Sequence, residues 1–160
     1  MGVRVGGLTL TSNCSILVDR LVVIPTSQKP ERGLTVPKWA LVVDDDPGMR
    51  MLVKDVLEIA GFVVLAVCDA EDALHVLELE GEKYELIISD KDMPGMSGVE
   101  LMQRCKGNAT TSGIRFILMS GGRVVSDRDL TPLSEVCAKC GVTFLQKPFR
   151  VDGLLELVRS

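Results

Sequence analysis

Four places along the chain put acidic, hydroxyl or basic side chains directly after apolar runs: Asp44-Asp45-Asp46, Asp90, Ser120 and Lys147. Carboxylates gathered at one point repel one another and raise each other's pKa unless a cation neutralises them. No Cys or His neighbours these acids in sequence, and an oxygen-only cluster suits a hard ion such as Mg2+. Ser120 and Lys147 would add a hydroxyl and a positive charge on the other side. Acids with a metal, facing a lysine and a hydroxyl, form a pocket for a phosphoryl group. One carboxylate in such a pocket can be the nucleophile and form an acyl phosphate.

That chemistry requires the four places to converge, and the surrounding pattern says how. Apolar runs of strand length occupy residues 39–43, 62–67, 86–89, 114–119 and 142–145. They are nearly continuous, as in parallel strands buried on both faces. Amphipathic segments lie between them. The first covers 47–60, with Met51, Leu52, Val56 and Ile59 at helical spacing, Asp46 as N-cap before Pro47, and Gly61 as the stop. The second covers 70–80 behind Asp69. The third opens with the capping box Ser97-x-x-Glu100. The fourth follows Thr131-Pro132 and runs to Cys140, and the fifth covers 151–159. Strict β-α alternation predicts an α/β protein. The five-unit form is a doubly wound, flavodoxin-like (βα)5 fold with a five-stranded parallel sheet of order 2-1-3-4-5. In that order the first and third strands are neighbours, so Asp44 and Asp45 should meet Asp90. Ligands of such sheets sit beyond the carboxyl ends of the strands.

Length and composition bound the remaining classes. The 160 residues are 46% hydrophobic, the size and composition of one globular domain. A net charge of −4 argues against a nucleic-acid surface, which needs concentrated basic residues. Residues 1–37 carry four bases against two acids and are punctuated by glycine and proline. They read as a poorly ordered extension, and residues 38–160 as the domain. Five cysteines at irregular spacings do not make a disulfide framework, and point to a reducing cytoplasm. No stretch reaches the roughly 20 apolar residues of a membrane span, so no membrane insertion is expected.

Four quoted segments resemble a known family. Residues 40–47 (Ala-Leu-Val-Val-Asp-Asp-Asp-Pro), 90–98 (Asp-Lys-Asp-Met-Pro-Gly-Met-Ser-Gly), 117–121 (Ile-Leu-Met-Ser-Gly) and Lys147-Pro148-Phe149 are similar to the receiver domain of two-component response regulators. The resemblance covers about residues 38–160. It implies that Asp90 is the phosphoacceptor, that Asp45 binds Mg2+ directly, and that Asp44 holds it directly or through water. The backbone carbonyl of Asp92 would be the third protein contribution to the metal. Ser120 takes the switch position, Lys147 pairs with a phosphoryl oxygen, and the bond to Pro148 is implied to be cis. Phe144 takes the place of a rotating aromatic. Asp92 and Gly122 take positions that tune how fast the phosphoryl group hydrolyses. The implied donor is a histidine kinase or phosphotransfer protein, and the implied output is contact with a downstream protein by a stand-alone regulator.

Blander readings account for other residues. N-cap duty explains Asp46, and Lys91 reads as solvent-facing. Cys137-x-x-Cys140 has too few ligands for a closed zinc site and reads as two half-buried helical thiols. His75 reads as a surface or core-edge residue, and residues 121–130 as a long polar loop. Two other functions remain open at this point. One is a haloacid-dehalogenase-like phosphatase, with Asp90 as nucleophile and Asp92 as general acid. The other is a pseudo-receiver that binds partners without phosphorylation.

Overall fold

The computed structural model describes residues 36–121 and 133–160. The extension expected at 1–37 lies outside the described residues apart from Val36 and Pro37, as does the loop expected at 121–130 apart from Gly121. Five strands, β1 (Lys38–Val43), β2 (Phe62–Val67), β3 (Tyr84–Asp90), β4 (Arg115–Ser120) and β5 (Thr143–Gln146), pair in parallel in the order β2-β1-β3-β4-β5. They alternate with α1 (Pro47–Ile59), α2 (Ala70–Glu80), α3 (Gly98–Gly107), α4 (Leu133–Lys139) and α5 (Val151–Arg159). The fold is the doubly wound, flavodoxin-like one expected.

The chain moves outward from β1 to β2, then returns over β1 to reach β3. Right-handed crossovers therefore set α1 and α2 on opposite faces of the sheet. On one face Val53, Val56 and Leu57 of α1 and Leu154 and Val158 of α5 pack on Ala40, Val42, Leu86, Ile88, Ile117 and Met119. Side chains alternate along a strand, so Leu41, Val43, Ile87, Phe116 and Leu118 point to the other layer, and all are buried. Burial on both faces is why the strands lack a polar alternation.

Helix starts follow the sequence closely. Asp46 accepts the Met49 N–H at 2.6 Å, Asp69 accepts the Asp72 N–H at 2.8 Å, and Ser97 with Glu100 forms a complete capping box. Helix α1 ends as expected, with Ala60 as C-cap and Gly61 at φ +96°.

The face that α1 buries differs from the expected one. Met51, Leu52 and Ile59 are 60%, 40% and 67% exposed, whereas Val53, Val56 and Leu57 are buried. Residues 49, 53, 56, 57 and 60 form the stripe that meets the core. Helix α1 carries two apolar faces, and the sheet can cover only one.

Candidate functional site

The switch point lies between β1 and β3, and their carboxyl ends bring the acids together. Asp44 follows the last residue of β1 and is 1% exposed; Asp90 ends β3 and is 7% exposed. The Lys147 ammonium, arriving from just beyond β5, donates to Asp90 Oδ1 at 2.5 Å and to Asp44 Oδ2 at 3.0 Å. The Lys147 backbone N–H donates to the Ser120 carbonyl at 2.7 Å, and the Lys147-Pro148 peptide is cis.

One ammonium serves two carboxylates, and the protonation equilibria reflect it. Burial pulls the Lys147 pKa down, but hydrogen bonds and charges from Asp90 and Asp44 outweigh it, leaving it above the ordinary lysine value. Burial pushes Asp44 up, and the Asp90 charge adds to that. The hydrogen bonds from Lys147 and the Asp46 N–H recover only part, so Asp44 stays above the ordinary carboxylate range. The lysine is well compensated and the acid is not.

Asp44, Asp90 and Lys147 meet, whereas Asp45 is not drawn onto Asp90, and the other candidate residues take distinct places. Ser120 is fully buried at the end of β4, pairing in register with Gln146. Phe144 pairs with Leu118, two residues before Ser120, so its half-buried ring shares a sheet face with Ser120. Asp45 is exposed on the turn after Asp44. The Asp92 N–H donates to Asp90 Oδ2 at 2.9 Å, while the Asp92 side chain is 63% exposed. Gly122 lies outside the described residues. Lys91 departs from expectation: its side chain is 13% exposed and pairs with Asp92 at 3.2 Å. A lysine on this turn finds an acid one residue away and folds onto it.

The donor set fits Mg2+. It offers only oxygens: the carboxylates of Asp44, Asp45 and Asp90 and the Asp92 carbonyl. Two buried acids share one ammonium, and burial above all holds the Asp44 pKa up. Among the described residues, the group with three ligand atoms within 4.8 Å of one another is a different one: Cys68, Asp69 and Asp72. Asp44, Asp45 and Asp90 are not drawn that close, and Lys147 is the cation between the two buried acids.

Three residues of the site carried no assigned role in the sequence reading. A Cβ on Gly98 would lie 1.9 Å from the Asp90 carbonyl oxygen, so α3 can start against the end of β3 only with glycine there. Ser89 Oγ donates to that same carbonyl at 2.9 Å. Arg50 Nη1 donates to the Asp44 carbonyl at 2.6 Å. The sequence offered one faint signal for Arg50: a cation in the first turn of a helix opposes the helix dipole.

Outside the site, Cys137 is buried and Cys140 exposed, so the pair is not evenly half-buried; burial pushes the Cys137 thiol up. His75 is exposed. Among the described residues no helix is long and apolar enough to cross a membrane.

Comparison with known proteins places this geometry in a class. Residues 40–159 match the response regulator receiver domain, and the chain belongs to that family, whose members are signalling switches rather than turnover enzymes. It is 37% identical over 128 residues to the transcriptional regulatory protein FixJ of Bradyrhizobium diazoefficiens, covering 79% of this chain and 58% of FixJ. It is 28% identical to sporulation initiation phosphotransferase F of Bacillus subtilis, covering 75% of this chain and 90% of that protein. A response regulator receiver protein from Pseudomonas putida superposes with a TM-score of 0.65 at 26% identity, covering 79% of this chain and 98% of that one. The chain thus spans little more than half of one relative and nearly all of another.

Proposed function

We propose that this receiver accepts a phosphoryl group on Asp90 from a histidine kinase or phosphotransfer protein, with Mg2+ bound by Asp44, Asp45, Asp90 and the Asp92 carbonyl. The observation that carries the reading is the pair of buried acids, Asp44 and Asp90, sharing the Lys147 ammonium. A carboxylate oxygen of Asp90 attacks phosphorus, the phosphorus–nitrogen bond of the donor's phosphohistidine breaks, and its electron pair returns to the imidazole. Lys147 and the Asp92 N–H hold the Asp90 carboxylate in one orientation before the attack. Mg2+, when bound, would add positive charge beside the two buried acids and neutralise the transferring oxygens.

Once Asp90 carries the group, Lys147 pairs with one phosphoryl oxygen and the Ser120 hydroxyl with another. Phe144, on the same sheet face, moves into the space behind Ser120. The surface of α4, β5 and α5 then changes shape, and the output is contact with a downstream protein. The pseudo-receiver alternative leaves this complete acid, hydroxyl and lysine set without a purpose. The dehalogenase-like alternative needs the Asp92 carboxyl as a general acid, but that carboxylate is largely exposed and paired with Lys91.

The test is labelling by acetyl phosphate. Wild-type protein should gain one phosphoryl group in a Mg2+-dependent, hydroxylamine-sensitive reaction, without catalytic turnover of p-nitrophenyl phosphate. Asp90→Asn should lose the label entirely; undiminished labelling of that variant would refute the assignment.

A further inference from the structure

The turn between β1 and α1 carries three consecutive acids, and a second cation reaches it. Arg50 lies one turn into α1, where a positive charge is unfavourable to the helix dipole. Its guanidinium donates to the backbone carbonyl of Asp44 at 2.6 Å, a charge-assisted bond to a residue that is 1% exposed. With that bond every polar group of Asp44 is engaged. Its N–H donates to the Val67 carbonyl at 3.3 Å, its Oδ1 accepts the Asp46 N–H at 2.9 Å, and its Oδ2 accepts from Lys147. Asp46 in turn accepts the Met49 N–H, which ties the far side of the turn to α1. Asp45 stands between these two anchored residues, and its side chain faces solvent.

The geometry points to Arg50 as a positioning residue of the cation site: it clamps the Asp44 carbonyl and so holds the turn that presents the Asp44 and Asp45 carboxylates. This rests on the reading of those acids as Mg2+ ligands. Arg50 reaches the Asp44 backbone carbonyl, and its positive charge by itself repels a divalent ion. Clamping and plain charge therefore act in opposite directions on Mg2+ affinity. Lysine keeps the charge but cannot reproduce the planar fork of arginine, and glutamine loses the charge.

The experiment compares wild-type protein, Arg50→Lys and Arg50→Gln in full-length form. Mg2+ affinity is measured by calorimetry, and amide hydrogen exchange is followed in metal-free protein. Thermal unfolding checks that each variant is folded. A clamp predicts that both variants bind Mg2+ about tenfold more weakly or worse, the range seen when groups that orient metal ligands are removed. It also predicts faster exchange of the Asp46 N–H in both variants before any metal is added. Tighter binding by Arg50→Gln with unaltered binding by Arg50→Lys would reduce Arg50 to a counter-charge and overturn the proposal. Tight wild-type binding that neither variant changes would overturn the proposal alone. Wild-type protein that took up no Mg2+ would overturn the cation-site reading, and this inference with it.

Discussion

The two ends of the sheet solve the same problem in opposite ways. At the amino ends of β1 and β3, Trp39 meets Tyr84 edge-on at 6.2 Å, and the Lys83 ammonium lies 4.1 Å from the Trp39 ring centre. The ion pair there, Lys38 with Glu85, is 3.9 Å long with both side chains more than half exposed. At the carboxyl ends, Asp44 and Asp90 are buried and share a single lysine. Apolar contact and solvated charge are enough to close the sheet at one end. Stability therefore does not require buried charge at the other, where removing two like-charged groups from water is a cost. On the proposed function, the carboxyl end keeps that cost for its chemistry.

Substitutions can break or sharpen this contrast, and the largest effect should come from Gly98. Gly98→Ala forces a methyl against the Asp90 carbonyl, and should destabilise the protein by about 3 kcal/mol in urea unfolding. Gly153→Ala, in α5 with nothing within 4 Å of the added carbon, should instead stabilise it by about 0.5–1 kcal/mol. Equal effects at the two glycines would show that the close approach at Asp90 is not what constrains Gly98.

Asp44→Asn should raise metal-free stability while sharply reducing phosphorylation, the trade-off expected where charge is kept for function. The sign follows from the pKa. Asp44 titrates higher folded than unfolded, so its ionised form weighs against folding above the folded pKa. That penalty fades as pH falls through the folded pKa and is gone below the unfolded one. The advantage of Asp44→Asn should therefore be largest at neutral pH and vanish in acid, as urea unfolding at several pH values would report. Lys147 has the same sign, its contribution being lost as pH rises through its raised pKa.

At the amino end the expected effects are smaller. The Tyr84 hydroxyl is buried without a hydrogen-bond partner, so Tyr84→Phe should stabilise the protein, by about 1 kcal/mol at most. Glu85→Gln, which breaks the exposed pair with Lys38, should change stability by less than about 0.5 kcal/mol. A loss of several kcal/mol there would remove the contrast between the ends.

Much of this protein was written locally. Strand runs, helix caps and the order of acids, serine and lysine depend on neighbours in sequence, so Asp46, Asp69 and Ser97 could be read as caps and Asp44, Asp90 and Lys147 as candidates for one site. Three-dimensional packing decided the rest. Helix α1 has two apolar faces, and only the sheet determines that Val53, Val56 and Leu57 are buried while Met51, Leu52 and Ile59 face outward. Lys91 looked like a solvated lysine until the turn brought it onto Asp92. The tight approach of Gly98 to Asp90 and the reach of Arg50 to the Asp44 carbonyl exist only once a helix and a strand end are set side by side. Sequence determines which groups are available and how each segment folds. Distances between groups far apart along the chain arise only when the elements pack, because dense interiors leave few alternative positions.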